Sequence, residues 1–334
     1  MPDSVYLPTD DFNGRAPNDN DVAADFLELS AFFAQEKFAL TQSIVDALEL
    51  AADDDFRSVE EEIERREEVA TAASTVISDR MRALAEAYPF SISEDGRVIS
   101  CELGALNYGQ AAYLISLILS NLDTITPLLN GSEMHPTDAE VRLLRQYFQY
   151  FATAALAAEI GGQAWSFGFP RPDHSGFLSK LRDVWAVLKD GIVDPEEGEV
   201  PLAPKDDGVD IFAGRLHADG LPGFLFAVAQ VATGADWPTK SIRNHLNGVF
   251  FQRWFGRQPS TPPLPYHIIP FALPRRGFRN HVRTLGNVLH RLRVPLRVEQ
   301  ARELHAQGVL IEAYDQLDGA LAWVSEYASR EPVS

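Results

Sequence analysis

PKDDGVDIFAGRLHADGLPGFLFAVAQVATGADWPTK, residues 204 to 240, reads as two strands joined by a turn. Val209, Ile211 and Phe212 begin the first strand, Asp219-Gly220-Leu221-Pro222-Gly223 supplies the turn region, and Phe224 to Val231 is an almost wholly apolar run of strand length. A strand apolar on both faces has neighbours over both, so the second strand is central and buried. Two features interrupt this pattern. Asp206, Asp207 and Asp210 crowd the head of the first strand, where Asp206-Asp207-Gly208 also reads as a plain strand-starting turn. Gln230 sits inside the apolar second strand, and a buried amide costs a few kcal/mol unless it finds partners.

Working outward, Ser175 to Lys189 has the period of an amphipathic helix, with Phe177, Leu181, Val184, Trp185 and Leu188 on one side. Beyond the hairpin a helix is expected at Trp237 to Phe255, a short apolar strand at Pro265 to Leu273, and helices at Phe278 to Arg291 and Val298 to Tyr327. Helix, strand, strand, helix, strand, helix is the order of an α/β (α+β) domain with a mixed central sheet flanked by helices. The Gly/Pro/aromatic stretch Gly161 to Pro172 marks a boundary, giving a mainly helical region at 1–165 and an α/β domain at 166–334. In the first region residues 1–22 read as a loose arm or at most a strand-like addition. Ala23 to Leu50 is helical, and the acidic run Asp53 to Glu68 leads into a helix ending near Ala87. Tyr88 to Leu103 is a hairpin turning at Glu94-Asp95-Gly96, and helices return at Gln110 to Asn130 and Thr137 to Ile160.

Charge is segregated. The 334-residue chain carries a net charge of −19, yet Trp237 to Val298 contains no Asp or Glu and eleven Lys or Arg, so the remainder sums to −30. Such a block attracts phosphates or pairs with the acidic remainder. Arg243, Arg253, Arg257, Arg275, Arg276, Arg279 and Arg283 are the candidate nucleic-acid contacts, and Phe250, Phe251, Trp254 and Phe255 interleave with them as core residues or stacking rings. Six phosphate contacts imply roughly a thousandfold loss of affinity between low and moderate salt. An overall pI of 4.8 argues against binding nucleic acid over the whole surface. A single cysteine, Cys101, excludes an intramolecular disulfide and a Cys-based zinc cluster and fits a reducing compartment. No secretory signal and no run of about eighteen apolar residues is present, so a cytoplasmic protein without a membrane span is expected. Walker, dinucleotide and Gly-x-Ser-x-Gly patterns are absent, as is zinc-ligand histidine spacing.

An acidic residue heading one strand and Gln230 on the next resemble the PD-(D/E)xK restriction-endonuclease-like superfamily over Ser175 to Leu273, and GVDIFA with AQVATGADW is similar to bacterial proteins of phage-defence and restriction loci. The resemblance implies a Mg²⁺- or Mn²⁺-dependent DNA endonuclease, with Asp210 and Gln230 as metal ligands and Asp183, or more weakly Glu159, adding a carboxylate. It also implies a homodimer or a partner protein of a defence complex. One position departs from the pattern: where the superfamily has Lys this chain has Ala232, and Lys240 is the nearest replacement. The alternative is a catalytically inactive subunit binding nucleic acid or a partner protein. Arg243-Asn244-His245 and Arg279-Asn280-His281 echo each other and weakly resemble metal-free HEPN-type ribonucleases.

Overall fold

The structure, a computed structural model, describes residues 20–44, 59–122, 135–196 and 204–330. In chain order its elements are α1 (Asn20–Phe33), β1 (Phe38–Leu40), α2 (Val59–Leu84), β2 (Phe90–Ile92), β3 (Val98–Cys101), α3 (Tyr108–Ser120) and α4 (Asp138–Ile160). Then come β4 (Gln163–Ser166), α5 (Phe177–Leu188), β5 (Ile192–Val193), β6 (Ile211–Arg215), β7 (Leu225–Val231), α6 (Ile242–His245), α7 (Phe251–Trp254), β8 (Phe255–Arg257) and β9 (Leu264–Ile268). The chain closes with α8 (Phe278–Leu285), β10 (Asn287–Leu289), α9 (Val294–Ala306) and α10 (Leu317–Ala328). Parts of the sequence expectations on the N-terminal arm, the Ala23–Leu50 helix, the acidic run and the Gln110–Asn130 helix lie outside the described residues.

Two compact units emerge, Met1–Arg145 with Asp318–Ser334, and Gln146–Leu317. The sequence division at 165 differs because α4 runs unbroken through residue 145 and its last turns serve the second unit. In the first unit β1, β3 and β2 form an antiparallel sheet in that order, and the Glu94-Asp95-Gly96 turn joins β2 to β3 as expected. Cys101 is buried on β3, and burial pushes its thiol up to about 12, which suits a core residue and not a nucleophile.

The second unit is an α/β structure built on a five-stranded mixed sheet of order β10-β9-β7-β6-β4. β4, β6 and β7 are antiparallel neighbours, whereas β7, β9 and β10 run parallel. The apolar β7 is the central strand. On one face Phe212, Phe226 and Val228 pack with Trp165 against the buried side of α5 and against Ile242, Leu246, Phe250 and Trp254. Phe212 and Phe226 lie 6.1 Å apart and nearly parallel, and Trp185 meets both edge-on. Each such ring is worth about 1.5–3 kcal/mol by burial alone. The other face is lined by Ala213, Ala227 and Ala229, small enough for the last turns of α4, from which Gln149 donates to the Asp210 carbonyl at 3.0 Å.

Five elements depart from expectation. The helix expected over Ala23 to Leu50 ends at Phe33, and Phe38–Leu40 pairs with β3 as strand β1. The Gly161–Pro172 break contains β4, an edge strand too short to show its own period. The single helix at 237–255 is instead a 3-10 turn at Trp237–Thr239, α6, a π turn at Leu246–Phe250, and α7. Pro238 starts that 3-10 turn, and the Asn247-Gly248 pair is poor helix material at the π turn. The helix at 278–291 ends at Leu285 because Gly286 has φ 95°, and a Cβ there would sit 2.6 Å from the Pro265 carbonyl oxygen. That close approach lets β10 join β9. Finally, 298–327 is two helices separated around Gly308.

Candidate active site

The register between β6 and β7 pairs Ile211 with Ala229, so one step earlier Asp210 faces Gln230. Gln230 in turn pairs with His267 across the parallel β7–β9 ladder. Three polar side chains thus stand in a row on one face of adjacent strands, beside the aromatic core. Asp210 and Gln230, expected on separate lines of reasoning, are brought together.

Asp210 is set in place by a turn. The Val209 N–H donates to the Asp206 carbonyl at 3.0 Å, and the Gly208 N–H to Asp206 Oδ1 at 2.9 Å, with Asp207 and Gly208 both in the left-handed region at φ 46° and 73°. The turn reading of Asp206-Asp207-Gly208 therefore holds, and the turn does more than start a strand. It also brings the Asp206 carboxylate near enough to act electrostatically on Asp210. Asp207 points the other way, accepting from Arg253 Nη1 at 2.6 Å and Trp254 Nε1 at 2.7 Å, with His245 Nε2 at 3.8 Å. The two hydrogen bonds tie the aspartate turn to α7, just after the π turn.

Burial, and secondly the Asp206 charge, push the Asp210 carboxyl up to about 7, opposed by the Val231 N–H, which donates to Oδ2 at 2.8 Å, and by the Lys240 ammonium. Lys240 lies just before the Ser241 cap of α6, pairs with Asp236 at 3.0 Å and is 40% exposed. It also acts on His267, whose imidazole is held down to about 4 by burial first and this charge second. His267 is fully buried and neither ring nitrogen has a hydrogen-bond partner, although the Trp237 backbone lies close enough to favour the protonated ring. Sequence reasoning saw Asp206 only as part of a strand-starting turn and missed His267. The signal for His267 was a polar residue inside the apolar run PYHIIPFAL.

The remaining expectations fare unevenly. Ala232, at the position where a lysine was sought, is buried in a second apolar cluster with Trp237, Ile269 and Phe271. Asp183 is exposed on α5, away from that helix's buried side, and Glu159 faces the opposite side of the sheet, where it binds Arg297 at 2.6 Å and accepts from the Tyr266 hydroxyl. Neither joins Asp210. Among the described residues no three His, Cys, Asp or Glu side chains converge as a ready-made cation cage. Asp206, Asp210 and Gln230 are nonetheless an all-oxygen donor set of the kind hard divalent cations take.

Arg253 is committed to Asp207, Arg291 is fully buried and Arg297 is paired, so part of the basic window serves the fold. Arg243, Arg257, Arg275, Arg276, Arg279 and Arg283 are exposed and have no carboxylate partner among the described residues. α6 and α8 pack together through Ser241 Oγ donating to the Thr284 carbonyl at 2.6 Å and Arg243 Nη1 to the Arg283 carbonyl at 2.9 Å. This places Arg243, Arg279 and Arg283 on adjoining helices next to Lys240. The two Arg-Asn-His triplets do not converge on one centre, since His245 faces Asp207 and His281 packs on Trp237 at 5.0 Å. Phe250, Phe251, Trp254 and Phe255 are core residues.

No helix among the described residues is long and apolar enough to cross a membrane. No family model, curated protein or solved structure matches the chain.

Proposed function

We propose that this protein is a metal-dependent phosphodiesterase acting on nucleic acid, an endonuclease of a bacterial defence or restriction system with DNA as its expected substrate. The observation that carries this reading is the pairing of Asp210 with Gln230 across β6 and β7, with Lys240 beside them and exposed arginines on the adjoining α6 and α8. An antiparallel β4-β6-β7 meander, a helical crossover and a parallel β9 are consistent with the restriction-endonuclease-like arrangement.

Asp210 and Gln230, with Asp206 in place of the expected Asp183, are the residues that would hold Mg²⁺ or Mn²⁺. Such a cation supplies Lewis acidity toward a phosphoryl oxygen and acidifies a bound water. Each carboxylate has one oxygen left after its backbone hydrogen bond, Oδ1 of Asp210 and Oδ2 of Asp206. Lys240 stands where an ammonium can offset charge developing on the phosphate, replacing the lysine that Ala232 lacks. The Arg243, Arg279 and Arg283 guanidinium groups position the nucleic-acid backbone.

A second reading has its own observation. Ala232 is packed in the core and Lys240 is half committed to Asp236, which suits a subunit that binds nucleic acid or a partner protein without cutting. Plasmid and single-stranded DNA incubated at low salt with Mg²⁺ or Mn²⁺, against EDTA, separate the two. Cutting that needs the cation and disappears in Asp210→Ala and Lys240→Ala is expected. Salt-sensitive binding without cutting in wild type and both variants overturns the enzyme in favour of the binding subunit.

A further inference from the structure

A ring that stacks a nucleic-acid base must stand open to solvent. In the Gln146–Leu317 unit every described Phe, Tyr and Trp ring is buried or half-buried except Phe169, which is 58% exposed. Its place is fixed by the site. The N–H groups of Phe167 and Gly168, the two preceding residues, both donate to the Asp210 carbonyl, at 2.7 and 3.1 Å. Lys205, next to Asp206, holds its ammonium 5.7 Å from the centre of the Phe169 ring. The buried Arg171 fastens the two loops together, Nε donating to the Ser175 carbonyl at 2.7 Å and Nη1 to the Lys205 carbonyl. The open ring thus follows directly on backbone hydrogen bonds to Asp210, and the cation over it belongs to the residue just before Asp206.

Resting on the nucleic-acid reading above, we propose that Phe169 is a stacking platform for one unpaired base, with Lys205 on an adjoining phosphate, so that the strand entering the site is single-stranded or locally unpaired. Base–aromatic stacking is stronger than an exposed cation–π contact. An incoming base therefore displaces the ammonium from the ring and frees it for phosphate. A base inside a duplex is already stacked and offers no open face to the ring.

The test is fluorescence anisotropy in EDTA at low salt, with labelled oligothymidylate, an abasic strand of equal length, and a duplex. Wild type should bind oligothymidylate about 5- to 100-fold tighter than the abasic strand, which carries the same phosphates. Phe169→Ala should lower oligothymidylate binding to the abasic level and leave the abasic strand and the duplex unchanged, whereas Phe169→Tyr should keep the preference. Equal binding of the two strands by wild type, or a preference that survives Phe169→Ala, overturns the platform and leaves the nucleic-acid reading standing. Binding of none of the three overturns both. A duplex that binds best and weakens with Phe169→Ala overturns the single-strand assignment, and an unchanged melting temperature in both variants certifies the fold.

Discussion

Each unit of this protein holds a cluster of charge, buried in the first and half-buried in the second, and the two clusters are finished differently. In the first unit Arg80, only 1% exposed, meets Asp21, Asp25 and Glu28 at 2.7–2.8 Å, while the Tyr88 and Tyr113 hydroxyls donate to the two oxygens of Glu28 at 2.6 and 2.7 Å. Apart from Arg80 Nε, the network is closed. In the second unit Asp210 is held by one backbone N–H against a neighbouring carboxylate, His267 has two orphaned nitrogens, and Lys240 is shared between Asp236 and the site. A satisfied network is what a fold needs. An unfinished one in a row of polar residues is where a ligand completes the bonding, and it is the better candidate for function.

The sharpest way to break this comparison is Arg80→Met, which leaves three carboxylates without their cation. Removing one partner of a buried ion pair costs about 3–5 kcal/mol, so urea denaturation should show a loss of that size. An unchanged midpoint at pH 7 would mean that the first cluster is no structural keystone and that closure does not distinguish the two.

The opposite sign is expected at Asp210. Its folded pKa of about 7 lies above the unfolded value of about 3.9, so the folded state holds the proton more tightly. The carboxyl's contribution is then fully present below about pH 4 and is lost as pH rises to 7. Asp210→Asn should therefore stabilise the metal-free protein at pH 7–8, on the order of 1–3 kcal/mol after allowance for solvent at a half-buried residue, and by little at pH 4. Added Mg²⁺ should raise the melting temperature of wild type but not of the variant. Thermal melts across pH check both. A destabilised Asp210→Asn at pH 8 would place Asp210 with Arg80, among groups the fold needs charged.

Much of this was legible in the sequence and some could not be. The helix at 177–188, the β6–β7 hairpin and the central place of β7 follow from period and composition, because each side chain's surroundings are set by neighbours a few residues away. β4 and β10 were illegible because three- and four-residue strands have no period of their own and exist through their partners, β6 and β9. Asp210 and Gln230 were visible as polar residues in apolar company. Asp183 was misleading for the same reason that Asp206 was read only as a turn residue: whether an acid on a helix or in a turn reaches the site depends on where that element points, which spacing does not encode. Phe250, Trp254 and Arg253 illustrate the converse, since an aromatic and basic run reads alike whether it faces nucleic acid or, as here, a core and an aspartate turn.

The smallest effect belongs to Lys240, and it decides whether the second cluster has a working cation. Its pair with Asp236 is solvent-exposed and worth under about 1 kcal/mol, so Lys240→Met alone should change stability by about 0.5 kcal/mol or less. Its coupling to Asp210 is the informative quantity. At pH 8 Asp210 is mostly ionised in wild type, and loss of the ammonium should make the Asp210→Asn substitution more stabilising than it is beside Lys240. A double-mutant cycle in metal-free buffer should return a coupling of about 0.5–1 kcal/mol at pH 8 that fades by pH 5, where the carboxyl is neutral with or without the lysine. Coupling that persists at pH 5 would be packing and not charge. No coupling at either pH would mean that the ammonium does not face the carboxylate, leaving Asp210 and Gln230 without a catalytic cation and the second unit as a binding surface.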